Sequence, residues 1–299
     1  EQEVAAYCGA KHAIAVNSGT SALHLACRAL GVGEGDTVWT SPITFVASAN
    51  CARYCGADVD FVDIDPHTYN MSPSALEAKL EQADRLPKVV IPVHMCGQSC
   101  DMQAIHELSR RYGFSIIEDA CHALGGRYQN EPVGNCRYSD IAVFSFHPVK
   151  IITTAEGGMA VTNDSALAES MELLRSHGIT RNPELFADVR RPTSEVRSPW
   201  SDVRNSTSET GQRTTDHRLP TTDHELRTPD YGPQTTDSGP PAWYYEQIDL
   251  GYNYRMTELQ AALGLSQLQR LDDFVARRNE LANRYNRLLA DLPLTTPWQ

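Results

Sequence analysis

The stretch Ser145-Phe146-His147-Pro148-Val149-Lys150 sets one amine among hydroxylic, aromatic and apolar side chains, with no carboxylate beside it. Desolvation disfavours an ammonium ion, so an amine in such company gives up its proton more readily. A neutral amine can attack a carbonyl and form a Schiff base. Gly157-Gly158, just downstream, would let the chain pass close to a bound ligand. Two other places carry chemistry. Asn17-Ser18-Gly19-Thr20-Ser21 joins a strand-like run to a helix-like one. The first amides of such a helix lack internal partners and suit a phosphate. Asp119, in Ile117-Glu118-Asp119-Ala120-Cys121-His122, puts a carboxylate at a strand end. Each has an ordinary alternative: a solvated loop lysine, a Ser/Thr helix cap, a strand-end carboxylate, and for His122 a core histidine.

The elements around these residues alternate. Apolar runs at 12–16, 59–64, 89–93, 115–117, 141–146 and 159–162, with Val38-Trp39-Thr40, read as about seven strands. Between them, 44–55, 72–82, 101–112 and 164–177 read as helices, with Ser72-Pro73 at one start and Asn163 or Asp164 capping another. Residues 1–8 read as a helix end capped by Gly9. Strands joined by helical crossovers predict an α/β fold, a mostly parallel sheet with helices on both faces. Such sheets bind ligands at strand C-ends. There the Ser-Gly-Thr turn, Asp119, and Ser145 with Lys150 would converge. A phosphate nest, a carboxylate and an amine together describe a site for pyridoxal 5′-phosphate: the carboxylate holds the ring nitrogen protonated and the lysine holds the aldehyde.

Composition narrows the partners. The chain has 299 residues and a net charge of −12, which argues against nucleic acid or an anionic membrane surface. No apolar run is long enough to span a bilayer, and the first residues do not read as a signal peptide, so the cytoplasm is expected. The 8 cysteines end at Cys136. Cys51/Cys55 and Cys96/Cys100, with His94 nearby, lack the tight knuckle spacing of structural zinc and read as reduced thiols, with no metal. From 189 to 239 apolar residues thin out, and Thr-Thr-Asp recurs at 214, 221 and 235. This segment reads as a low-complexity, disordered insertion. It separates a cofactor-binding domain at 1–188 from 240–299. There the aromatic run Trp243 through Met256 leads into helices at 257–271 and from 273 on.

The motifs Asn17 through Leu23, Ser145 through Lys150, Ile152-Thr153-Thr154-Ala155-Glu156-Gly157-Gly158 and Ala261-Ala262-Leu263-Gly264 are specific in combination. In them the chain resembles the sugar-nucleotide aminotransferases of the DegT/DnrJ/EryC1/StrS family, and most closely its pseudaminic-acid branch. The resemblance covers nearly everything outside the insertion. It implies the type I fold of pyridoxal-phosphate enzymes. Lys150 would bind the cofactor and shuttle a proton, and Asp119 would pair with the ring nitrogen. His122 would lie near the phenolic oxygen, and Phe45 would stack on the ring. Gly19, Thr20 and Ser145 would hold the phosphate. Asn253 would reach the cofactor phosphate of a second subunit, which implies a homodimer. The resemblance further implies a UDP-linked 4-keto sugar as acceptor and glutamate as donor. It also implies that family members begin earlier and run beyond Gln299, with a larger small domain. A dehydratase of the same cofactor would carry histidine in place of Lys150. A nicotinamide oxidoreductase would need a Gly-x-Gly-x-x-Gly turn after the first strand, and the chain has none.

Overall fold

The computed structural model describes residues 1–186 and 243–296; the expected insertion at 189–239 lies outside them. By internal contacts the chain forms two units, Glu1–Ile179 with Asp249–Gln299, and Thr180–Ile248. In the second unit Asn182 caps the short turn Pro183–Leu185, and Phe186 meets Tyr244 edge-on at 5.3 Å.

The first unit holds a seven-stranded sheet. Its strands are β1 (His12–Val16), β2 (Thr37–Thr40), β3 (Asp58–Phe61), β4 (Val89–Ile91), β5 (Ser115–Asp119), β8 (Ile141–Ser145) and β9 (Gly158–Thr162). Between β5 and β8 a small hairpin pairs β6 (Arg127–Tyr128) with β7 (Glu131–Pro132). The sheet order is β1-β9-β8-β5-β4-β2-β3. Pairing is parallel from β8 across to β3, and β9 runs antiparallel to both its neighbours.

Alternation along the strands explains why both faces are covered. Ile141 and Val143 of β8, Ile117 of β5, Val89 and Ile91 of β4 and Val38 of β2 enter one apolar cluster. It is roofed by α2 (Gly19–Ala29), α3 (Ala47–Tyr54) and α6 (Ser165–Arg175). Their immediate neighbours along each strand point the other way. Ala142 and Phe144 pack with α1 (Gln2–Cys8) and with Leu271 of α8 (Leu271–Leu289). Trp39, Val90 and Ile116 pack with α4 (Pro73–Gln82) and α5 (Met102–Tyr112). A period of two on a twice-covered sheet yields near-continuous apolar strands, the pattern seen here.

Element ends follow local chemistry. Gly9 closes α1 in the left-handed region, at φ 75°. Ser72, Asp101 and Asp164 cap α4, α5 and α6 through their side chains. The cap of α6 is therefore Asp164, while Asn163 accepts the Lys11 amide. Thr257 and Gln260 form a reciprocal capping box on α7 (Glu258–Leu268). Some ends differ from the sequence reading. β4 stops at Ile91 because Pro92 has no amide to donate. α3 begins at Ala47, since residues 44–46 form a loop that carries Phe45 to the surface. β3 is a short edge strand whose exposed Asp58 and Asp60 bind Arg53 and Lys79. Charges of this kind block pairing with a further strand.

Candidate active site

The turn at the start of α2 is built by Ser18. It has extended backbone and accepts the Ser21 amide at 3.1 Å. Gly19 follows as the first helical residue, and a Cβ there would lie 2.9 Å from the Ser145 Cβ. The end of β8 therefore abuts the turn directly. Gly158 opens β9 beside them; a Cβ there would lie 2.5 Å from the Ser18 carbonyl carbon and 2.6 Å from the Gly19 amide nitrogen. This corrects the reading of Gly157-Gly158 as room for a ligand. Neither has positive φ, and Gly158 instead admits the backbone of the turn.

Lys150 sits in the loop between β8 and β9 and is half-buried. The loop is held from inside. Phe146 donates its amide to the Gly157 carbonyl at 2.8 Å and accepts at its own carbonyl from the Thr154 amide and the Thr153 hydroxyl. The Thr154 hydroxyl donates to the Glu156 carbonyl at 2.7 Å.

Asp119 ends β5 and is 4% exposed. Its Oδ2 accepts the Ser48 hydroxyl at 2.6 Å and its Oδ1 accepts the Cys121 amide at 3.2 Å. Thr44 and Ser48 share a hydrogen bond at 2.7 Å, so the loop before α3 is tied to the carboxylate. Cys121, half-buried and itself bordering the cavity, sits against Asp119; desolvation, with the carboxylate's charge, pushes its thiol well up.

His122 accepts the Cys96 amide at Nδ1, 3.3 Å away. A neutral ring bonded this way carries its proton on Nε2. Burial, with Lys150 nearby, lowers its pKa from the ordinary value, against the pull of Asp119. The loop that supplies this amide is clamped by Asn70, which is 3% exposed. Asn70 accepts the Met95 amide at 2.9 Å and donates to the carbonyls of Gln98 and Ser99 at 3.0 and 3.1 Å. Below the same loop, His94 and Glu118 meet at 2.8 Å, both buried, and Ser139 donates to the other oxygen of Glu118. His94 is thus a core partner of Glu118.

These groups line one cavity of about 380 Å³. Gly19, Thr20, Phe45, Asp119, His122, Ser145 and Lys150 all border it, as do His147, Met95 and Glu156. The expectation that no carboxylate stands near Lys150 fails, since Asp119 and Glu156 share its cavity. Asn253 is the expected site residue that does not border it. It is exposed, bridges to Ser176, and accepts the Asn17 side chain at its carbonyl, 3.4 Å away. Sequence reasoning missed Ser48, Thr44, Asn70 and Glu156. The i, i+4 spacing of Thr44 and Ser48 was the available signal.

The model of the DegT/DnrJ/EryC1/StrS aminotransferase family matches residues 1–193 and 221–299. Among curated proteins, GDP-perosamine synthase of Caulobacter vibrioides is 38% identical over 98% of this chain and 61% of its own length. UDP-4-amino-4,6-dideoxy-N-acetyl-beta-L-altrosamine transaminase of Campylobacter jejuni is 36% identical over 96% of this chain and 60% of its own. The chain thus spans about three-fifths of the length of the curated relatives it matches. Among solved structures, the Helicobacter pylori aminotransferase PseC, involved in the biosynthesis of pseudoaminic acid, superposes with a TM-score of 0.73 at 31% identity. That match covers 98% of this chain and 62% of that one.

Proposed function

The chain belongs to the DegT/DnrJ/EryC1/StrS aminotransferase family, and from that premise we propose that it transfers an amino group to a nucleotide-linked keto sugar with pyridoxal 5′-phosphate as cofactor. The observation that carries this reading is the convergence of Lys150, Asp119 and the α2 turn on one cavity of about 380 Å³. The residues fit the cofactor. The volume suits a small aromatic phosphate, since ligand pockets run from about 300 Å³ upward. Ser18, Gly19 and Thr20 border the cavity, which sets the first turn of α2 beside a bound anion.

Bound there, the cofactor supplies an aldehyde and an electron-accepting ring. The Lys150 amine would hold that aldehyde and, once released from it, would carry a proton at its Nζ. Asp119, an anion held by Ser48 and the Cys121 amide, keeps the ring nitrogen protonated. His122 offers its Nε2 proton toward the phenolic oxygen. Gly19, Thr20 and Ser145 take the phosphate, and Phe45 covers the ring. Asn253, away from its own cavity, reaches the phosphate of a second subunit in a homodimer built through 240–299. The enzyme is placed in the cytoplasm. Glutamate is the donor. The acceptor is a UDP-linked 4-keto-6-deoxy-hexose, for pseudaminic acid or a related surface glycan. The likeness to the altrosamine transaminase and to the pseudoaminic-acid aminotransferase supports that choice. The likeness to GDP-perosamine synthase makes a GDP-linked sugar the competing acceptor.

Titration with pyridoxal 5′-phosphate tests the cofactor. The native chain should gain the absorbance of lysine-bound cofactor, and Lys150→Ala should show only that of the free aldehyde. Equal spectra would overturn the reading. Paired assays with UDP- and GDP-linked keto sugars and glutamate decide the acceptor.

A further inference from the structure

Three side chains from distant parts of the sequence meet at one wall of the cavity. Asp119, at the end of β5, is almost fully buried, and Ser48, in the first turn of α3, is fully buried. Thr44 precedes that helix and borders the cavity beside Phe45. The Ser48 hydroxyl lies 2.6 Å from Asp119 Oδ2 and 3.2 Å from the Phe45 carbonyl. The Thr44 hydroxyl lies 2.7 Å from Ser48 Oγ. A serine hydroxyl has one proton to give. The carboxylate is both the nearer acceptor and the charged one, so it takes that proton. Ser48 Oγ is left as an acceptor, and the Thr44 hydroxyl donates to it. Both bonds therefore run one way, from Thr44 to Ser48 to Asp119. The ordinary use of such hydroxyls is to cap a helix. Here α3 has no side-chain cap; its N-cap is Val46, and the amides of Ser48, Ala49 and Asn50 go to the carbonyls of Phe45 and Val46.

We propose that Ser48 and Thr44 are positioning residues that act on the cofactor's ring nitrogen through Asp119. This rests on the proposed pairing of Asp119 with that nitrogen. Oδ2 is held by Ser48 and Oδ1 by the Cys121 amide at 3.2 Å. The carboxylate cannot turn about its Cβ–Cγ bond without breaking a hydrogen bond at each oxygen. Each oxygen keeps a further acceptor position, whose direction the two bonds have set. Asp119 borders the cavity, so a ring N–H placed there meets an acceptor already aimed. Removing the Ser48 hydroxyl frees one oxygen and lets the carboxylate swing away from that line. Thr44 acts one step further back. By donating to Ser48 Oγ it holds the serine hydroxyl in the rotamer that faces the carboxylate. Two hydroxyls outside the reacting groups thereby decide how well the ring nitrogen is met.

Equilibrium dialysis of the full chain with two probes tests this. One is pyridoxal 5′-phosphate; the other is its carbocyclic analogue, in which a C–H replaces the ring nitrogen. The native chain should hold pyridoxal 5′-phosphate more tightly, since only that probe offers an N–H to Asp119. Ser48→Ala should weaken pyridoxal 5′-phosphate about tenfold, the scale of one charge-assisted hydrogen bond, and leave the analogue within about twofold. Thr44→Val keeps the shape of its side chain and should show the same selectivity with a smaller loss, about threefold. Added to Ser48→Ala it should bring no further loss, because both act through one bond. A purely structural role would weaken both probes alike in each variant, and that result would overturn the proposal. Unchanged affinity for pyridoxal 5′-phosphate in both variants would overturn it too. Thr44→Val alone decides the matter if Ser48→Ala does not fold. A native chain that holds the two probes equally would refute the pairing of Asp119 with the ring nitrogen, and the proposal with it.

Discussion

Asp119 receives the Ser48 hydroxyl and the Cys121 amide while almost fully buried, so its position does not depend on a ligand. Asp119→Asn preserves the shape and one acceptor oxygen but removes the charge that would hold a ring nitrogen protonated. The expected result is a folded protein that still takes up pyridoxal 5′-phosphate. Its turnover should fall at least about tenfold, since a charge-assisted hydrogen bond is worth roughly 1.5–3 kcal/mol. Steady-state rates with unchanged circular dichroism would check this, and near-native turnover would refute it. Asn70 acts on His122 through the loop at 95–99. Asn70→Ala removes the clamp on Met95, Gln98 and Ser99, and leaving those buried groups unpaired should cost about 1–3 kcal/mol of stability. It should also return the His122 titration, followed by NMR, toward the ordinary 6.5 from its lowered native value. The sign follows from linkage: between the lowered pKa and 6.5 the unfolded chain binds more protons, so His122 takes stability away as pH falls through that window. A clamp variant with an unmoved titration would show that Asn70 supports the fold alone. Lys150, Asp119 and the Gly19 turn were legible because each is a chemically unusual group at the end of an apolar run. Ser48 and Asn70 were not, since the bond of Ser48 to Asp119 spans 71 positions and that of Asn70 to Met95 spans 25. Such contacts exist only after the sheet has formed.

Strands β5 and β8 show what alternation can and cannot reveal at the scale of elements. Their apolar runs identify them as strands covered on both faces, and their parallel register brings Asp119 opposite Val143, two residues before Ser145. That pairing places the carboxylate and the Lys150 loop at one end of the sheet. Ends are harder to read, because a cap or a proline outweighs periodicity there. β4 ends before Pro92, and α6 stops at Arg175 as His177 and Gly178 turn into positive φ. The antiparallel course of β9 also lay beyond the sequence, since a short apolar run has no direction of its own. It matters for the site, because β9 begins at Gly158 directly against the α2 turn. Gly158→Ala would drive a methyl into backbone atoms at 2.5 and 2.6 Å, which cannot move aside as a flexible side chain would. The expected outcome is a melting temperature lower by several degrees, as a loss of about 1–3 kcal/mol from overpacking implies. Phosphate-dependent cofactor retention should weaken with it. Calorimetry and equilibrium dialysis would measure the two, and a variant as stable as the native chain would show that the turn can shift away from β9.

At the scale of the whole molecule the cavity is open where large apolar side chains stand in solvent. Phe45 and Val149 border it at 69% and 72% exposure, and Leu250, three residues before Asn253, is 71% exposed. Part of the Asn253 segment packs inward. Tyr252 and Tyr254 stack at 4.8 Å and pack against the core around His24. The segment is therefore anchored on one side and presents Asn253 and Leu250 on the other. Exposed apolar groups beside a polar functional residue mark an interface, and a two-fold axis is the commonest way to cover one. The proposed dimer, in which each Asn253 serves the opposite cavity, is tested by complementation. Lys150→Ala and Asn253→Ala chains, each weak alone, would be mixed under conditions that exchange subunits, with exchange verified by native mass spectrometry. Each mixed dimer then holds one cavity with both lesions and one with neither. Activity per dimer should therefore recover to at most about half of native, as the symmetry requires. If Asn253 serves its own cavity, every cavity of a mixed dimer carries one lesion, and no recovery appears despite proven exchange.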